Sequence, residues 1–182
     1  MQRDVEAQAA KAPPPEAFDL SLPGVDGESH SLSTLVGPRG TVIVFVANGC
    51  PTARAYEQRL IDLQKAIASE GVSVVAVNSN NPSLSPPDTR EEMTRRAKDQ
   101  KFNFPYLKDA GGELARGFGA ICTPHVFLLD SDRKVVYSGR IDDSRLGDRI
   151  TSRDLQIAVG DVLAGRKVNQ PHTEPFGCSI VW

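Results

Sequence analysis

The chain has 182 residues, 40% of them hydrophobic and 24% charged, which suits one globular domain with its own core. Its formal net charge of −2 gives no reason to expect a nucleic acid or an anionic membrane surface as partner, and no apolar stretch is long enough for a transmembrane segment. Three cysteines are too few for a disulfide scaffold and follow no zinc-ligand spacing, so cysteine chemistry here is redox or nucleophilic.

Residues 1–16 read as a flexible leader. Met1 to Ala10 is polar and alanine-rich, and Lys11-Ala12-Pro13-Pro14-Pro15 is a stiff, extended linker. No apolar h-region marks a signal peptide. Localisation is therefore open between the cytoplasm and, if an export signal has been removed, the periplasm. The domain proper is expected over 17–165. Phe18-Asp19-Leu20 and the segment around Ser31-Leu32 flank Pro23-Gly24 and Asp26-Gly27, the turn chemistry of an N-terminal β-hairpin. Thr41 to Ala47 reads as a fully buried strand, which Asn48-Gly49 breaks. Cys50-Pro51 opens a helix over about 51–69, with Ala53, Tyr56, Leu60, Leu63 and Ile67 on one apolar stripe and Gly71 as its stop.

That placement singles out Cys50. A thiol at a helix N-terminus faces the positive end of the macrodipole and unpaired backbone N–H groups, both of which favour the reactive thiolate. Pro51 fits the first helical position because the N–H it lacks has no partner there. The competing reading is a buried structural cysteine.

Val72 to Val77 is a second buried strand, and Asn78 to Pro87, with three prolines and three serines, is expected on the surface. Asp88 is the expected N-cap of a helix over about 89–101, with Glu91 completing a capping box. Pro105-Tyr106-Leu107 is a short strand, and Gly111-Gly112 leads into a brief helix through Phe118. Val126–Leu129 and Val135–Tyr137 form a hairpin, and Thr151 is expected to cap a last helix ended by Gly165. Two strands joined through a helix imply a parallel pair with a right-handed crossover, and the hairpin adds antiparallel strands. The expected class is α/β, a mixed central sheet with helices on both faces.

Four motifs carry a resemblance over Phe18 to Trp182. They are Gly49-Cys50-Pro51 with Tyr56-Glu57, Gly119-Ala120-Ile121-Cys122-Thr123-Pro124, Gly139-Arg140-Ile141-Asp142-Asp143 and Phe176-Gly177-Cys178-Ser179-Ile180. With them the chain resembles the thioredoxin-like redoxin family, which includes the alkyl hydroperoxide reductase, thiol-specific antioxidant and peroxiredoxin-like proteins. The resemblance implies a thioredoxin-like fold and a cis bond between Thr123 and Pro124. It also implies that Pro124 packs beside Cys50 while Thr123 presents backbone groups to an incoming thiol or peptide. Two family patterns are incomplete. Position 53 is Ala53, so the Cys-x-x-Cys dithiol is missing. The Pro-x-x-x-Thr-x-x-Cys pattern of peroxiredoxins meets Ile43 and Ala47 instead.

The expected function is a thiol-dependent oxidoreductase in which Cys50 attacks a disulfide or peroxide, of a protein or a small molecule. It needs no cofactor and is recycled by an external thiol reductant. A single reactive thiol needs a second to complete an internal disulfide. Cys122, two residues before Pro124, is either that thiol or a small apolar filler. Cys178 lies in a tail, 166–182, too apolar around Gly-Cys-Ser-Ile-Val-Trp to be free and so expected to dock on the domain. A tail of that length folds back or reaches a partner subunit, which leaves a homodimer open. Arg54, one turn after Cys50, and Arg140 are candidates to bind substrate or lower the thiol pKa, although Arg140 equally suits a pair with Asp142 or Asp143. The rival reading is a redox-inert or copper-binding module using Cys50, Cys122 and His125. Copper-carrying relatives have Cys-x-x-x-Cys, and Arg54 stands at the second position here, so no metal site is expected.

Overall fold

The computed structural model describes residues 13–182. Of the expected leader, residues 1–12 lie outside the described residues, whereas Pro13 is buried and Pro15–Asp19 forms a 3-10 turn. The fold is therefore under way before the expected boundary at residue 16. A hairpin follows, from β1 (Leu22–Pro23) and β2 (Ser29–His30). The expected strand at Phe18-Asp19-Leu20 lies instead in that turn and its cap, and Leu32–Leu35 is a short helix, α1.

The β-branched run at 40–45 makes β3 (Gly40–Phe45), buried at every residue, and a strand with no polar face belongs at the centre of a sheet. β4 (Val72–Asn78) pairs parallel to it through the right-handed crossover helix α2 (Pro51–Ile67). After α3 (Arg90–Asp99), β5 (Tyr106–Lys108) extends the parallel edge. α4 (Glu113–Phe118) and the short β6 (Cys122–Thr123) then lead into β7 (His125–Asp130), antiparallel to β3, and β8 (Val135–Gly139) closes the far edge. The order is β5-β4-β3-β7-β8. The last helix is α5 (Asp154–Leu163), and β9 (Cys178–Ser179) pairs with β6.

Strand alternation sorts the core into two layers. Val42, Val44, Val74 and Ala76 pack under Tyr56 and Leu60 of α2, Met93 of α3 and Leu155 of α5. Ile43, Phe45, Val75 and Val77 face Leu32 of α1 and Leu114 and Phe118 of α4. This is the thioredoxin-like mixed sheet covered on both faces.

Three local expectations fail because other partners claim the polar side chains. Thr89, not Asp88, caps α3, its Oγ1 accepting from the Glu92 N–H at 3.4 Å. Asp88 is fully buried. Its carboxylate accepts from the N–H groups of Asn48 (2.7 Å) and Gly49 (3.3 Å), from Asn78 Nδ2 (2.8 Å) and Asn80 Nδ2 (3.0 Å), and from Ser85 Oγ. The start of the loop after β4 is accordingly interior, since Asn78, Ser79 and Asn80 are all buried with it. Thr151 caps nothing, because its N–H and hydroxyl both go to Asp143, and α5 begins at Asp154.

Beside Asp88, Lys108 Nζ donates to Asn78 Oδ1 at 3.0 Å and to the Asn80 carbonyl at 2.6 Å. Burial lowers the Lys108 pKa to about 8, against the opposing pull of Asp88 and Asp109. Burial by itself raises the Asp88 pKa, but the hydrogen bonds from Ser85, Asn80, Asn78 and Asn48 outweigh it and leave it lowered. Asp88→Ala strands these donors and a buried ammonium, so urea unfolding should show a loss of about 3–5 kcal/mol. Because the folded pKa is depressed, the Asp88 contribution is complete above the ordinary carboxylate value of about 3.9 and fades as pH falls through the lower folded value. Below about pH 4, wild-type stability should accordingly fall more steeply than that of Asp88→Asn.

Candidate active site

β3 ends at Phe45, and the Val46 N–H bonds to the Val77 carbonyl at 2.9 Å before the chain turns at Asn48-Gly49. Asp88 fastens that turn from below. Cys50 follows as the N-cap of α2, in extended geometry, with Pro51 as the first helical residue. Its Sγ accepts from the Ala53 N–H at 3.3 Å, a role normally filled by a hydroxyl or carboxylate. As a thiol it donates to the Thr123 carbonyl at 3.2 Å. Cys50 is only 2% exposed.

The wall facing Cys50 is β6, which the cis Thr123–Pro124 bond ends. β9 pairs antiparallel to it, setting Cys178 opposite Thr123 and Ser179 opposite Cys122. Gly177 makes this approach feasible. At φ +153° it lies so close to Thr123 that a Cβ would overlap the Thr123 carbonyl oxygen and stand 2.7 Å from its carbon. The tail is tied down along its length. Ser138 and the Pro171–Thr173 stretch exchange backbone hydrogen bonds, Phe176 packs edge-on to Tyr56, and Ile180 is buried. Val181 donates to Asn80 Oδ1 at 2.9 Å and accepts from the Asn81 N–H at 2.7 Å, and the Arg116 guanidinium lies 4.2 Å above the Trp182 ring.

The three thiols differ in kind. Burial pushes the Cys50 thiol up, but the adjacent Cys178 and Thr123 and the hydrogen bond from the Ala53 N–H outweigh it, so its pKa is lowered. Burial and the neighbouring Cys50 raise the pKa of Cys178, which also lies over Thr52 in the first turn of α2. Cys122, without such donors, is driven up to about 11 by burial and by the nearby Cys50, Glu174 and Cys178. Its Sγ reaches only the Pro124 carbonyl, at 3.8 Å. Among the described residues, Thr123 Oγ1 is the buried side-chain polar atom with no hydrogen-bond partner.

Cys50, Thr123, Pro124 and Cys178 thus converge, with Cys122 behind them. The two arginines do not join. Arg54 is exposed on α2 and lines a polar cleft with Asn48, Glu92 and Arg95. Arg140 pairs neither with the thiol nor with Asp142 or Asp143; its Nε donates to Asp154 at 2.7 Å. The reason is competition: Arg59 and the Tyr56 hydroxyl hold Asp142, and Asp143 is taken by Thr151 and Ser152. His125 spends Nδ1 on the Ile121 N–H at 3.2 Å, and burial lowers its pKa to about 4. No three His, Cys, Asp or Glu side chains group as metal ligands among the described residues. No described helix is long and apolar enough to cross a membrane.

Sequence reasoning missed Asp88, Asn80 and Gly177. Asp88 and Asn80 lie in a loop whose composition suggested solvent, and the Gly177 signal, a glycine directly before a cysteine in an apolar tail, was visible without its partner.

The profile of the AhpC/TSA family matches residues 14–138. Thiol-disulfide oxidoreductase ResA of Bacillus thuringiensis subsp. konkukian is 23% identical over 121 residues, 66% of this chain and 65% of the relative. The chain therefore spans just under two thirds of that protein. The crystal structure of an uncharacterized conserved protein from Geobacillus kaustophilus superposes with a TM-score of 0.87 at 36% identity, over 95% of this chain and 91% of its own. Peroxiredoxin Q of Xanthomonas campestris shares the fold at TM-score 0.59 and 21% identity, over 72% of this chain and 86% of its own.

The hydrogen-bond pattern fixes an order of thiol acidity that alkylation can read. In Cys122→Ser protein, the rate of iodoacetamide labelling at Cys50 should titrate below the ordinary cysteine value of about 8.5. Adding Cys178→Ala removes the Cys178 thiol as a donor to the thiolate and should move that midpoint upward. A midpoint unmoved by Cys178→Ala would contradict the shared hydrogen bond.

Proposed function

The chain belongs to the AhpC/TSA family, and from that membership we propose that it is a thiol-dependent oxidoreductase with Cys50 as nucleophile and Cys178 as resolving thiol. The observation that carries this reading is geometric: Cys50 caps α2 with the Ala53 N–H on its sulfur, and β9 sets a second cysteine, Cys178, against the Thr123 that accepts from the Cys50 thiol. The nucleophile must be ionised when the oxidant arrives, and the resolving thiol must wait.

With a disulfide, the Cys50 thiolate attacks one sulfur, forming a mixed disulfide and expelling the other sulfur as a thiolate. With a hydroperoxide it attacks the terminal oxygen, so that the O–O bond breaks, an alcohol leaves after protonation, and Cys50 becomes a sulfenic acid. In either case Cys178 gives up its proton and attacks the Cys50 sulfur. The Cys50–Cys178 disulfide forms while the substrate thiol or water departs. Two electrons from an external thiol reductant restore the pair. Resolution within one chain needs no partner subunit.

The Thr123 hydroxyl, buried without a hydrogen-bond partner on the residue whose carbonyl accepts from Cys50, is free to donate in the first step. The Thr123 carbonyl, which accepts from the thiol, holds the sulfur in place until it ionises. Cys122 stays outside the cycle because β9 sets Cys178, not Cys122, against Thr123, and the Cys122 sulfur turns to the Pro124 carbonyl.

Cys50→Ser should abolish consumption of both hydrogen peroxide and cystamine. Cys178→Ser should keep a single stoichiometric reaction at Cys50 and accumulate the sulfenic acid or mixed disulfide. Peptide mapping of oxidised wild type should find a Cys50–Cys178 crosslink. Turnover surviving in Cys50→Ser would remove the assignment.

A further inference from the structure

We propose that the segment Phe176–Trp182 stands in for a substrate strand. It occupies the backbone edge that an extended, disulfide-bearing peptide has to pair with, so the docked tail confines Cys50 to small oxidants and its release opens the site to protein disulfides. This rests on the reading of Cys50 as the nucleophile.

An extended peptide reaches a thiol recessed at a sheet rim by adding itself to the nearest free strand edge, where main-chain hydrogen bonds hold it in register. Beside Cys50 that edge is β6. Its outer side is already paired with β9, and the residue set opposite Thr123 is itself a cysteine. The tail thus reproduces within the chain what a substrate would bring: an antiparallel strand with a sulfur over the nucleophile. A second strand cannot pair there while β9 remains.

The fit is built in. Gly177 packs on the Thr123 carbonyl and the Pro124 ring at a distance no other residue tolerates. Beyond the cysteine, Ile180 is buried, Val181 is bracketed by Asn80 and Asn81, and Trp182 lies under Arg116. With the tail in place Cys50 is 2% exposed, which leaves no room for a folded protein loop. The chemistry on release is ordinary exchange. The Cys50 thiolate attacks a protein disulfide, one S–S bond forms as another breaks, and the expelled thiolate takes a proton from water. Dithiothreitol then resolves the mixed disulfide.

The test compares two substrates of the same bond type and different size, insulin and cystamine, by the second-order rate constant of Cys50 in the full-length chain. Gly177→Val ejects the tail by steric overlap, and Ile180→Asp does so by the cost of burying a charge. Both changes lie outside the central sheet. The insulin-to-cystamine ratio cancels any change in thiolate fraction, and it should rise about tenfold or more in each variant, the equivalent of about 1.4 kcal/mol. A ratio unchanged in both variants overturns the proposal, as does wild-type protein that reduces insulin as readily as cystamine. Cys50→Ser, run in parallel, separates the two levels: if it still consumes cystamine, the assignment of the nucleophile has failed rather than the role of the tail.

Discussion

The Asp88 carboxylate, buried beneath the strand ends, is the fixed point of the site. It receives five hydrogen bonds, two of them from the backbone N–H groups of Asn48 and Gly49, immediately before the nucleophile. A charge in that position is tolerable only because every donor around it converges, and Lys108 lies within the same network. Through Asn80 the network continues outward, since the side chain that donates to Asp88 also accepts from Val181. One carboxylate therefore sets both the turn that presents Cys50 and the loop that receives the tail carrying Cys178.

Around that anchor the chain makes its cysteines chemically unequal. Cys50 and Cys122 are similarly buried, 2% and 7% exposed, so solvent exclusion alone predicts two raised thiols. Only Cys122 behaves so. Cys50 escapes because a helix start and a paired strand bring polar groups to one sulfur. The helix start supplies the Ala53 N–H, and the β6–β9 pair brings Cys178 beside Cys50. Acidity at position 50 is accordingly a tertiary property, dependent on a strand more than a hundred residues away in sequence.

This division explains what could be read from the sequence. β3, β4 and α2 are each specified by their own residues, through a run of β-branched side chains or an apolar stripe, and so was the place of Cys50 between them. Asp88 was misassigned because an aspartate before Thr-Arg-Glu-Glu has the same local signature whether it caps the helix or turns inward. The inward choice is made by Asn48 and Gly49, forty residues earlier. Arg140 had Asp142 and Asp143 as candidates close along the chain, but Arg59 holds Asp142, Thr151 and Ser152 hold Asp143, and Arg140 pairs with Asp154 instead. Cys178 was legible as a docked cysteine; its position over Cys50 required the pairing of β6 with β9, which no local pattern encodes.

The stacking of Trp182 on Arg116 has an optical consequence. The chain contains one tryptophan, and it sits at the far end of the tail, against the guanidinium of Arg116 on α4, which donates to the Gly111 carbonyl. Its emission is therefore a single-site signal of whether the tail lies on the domain, uncontaminated by any other indole. The protein carries its own fluorophore on the segment that brings Cys178 to Cys50.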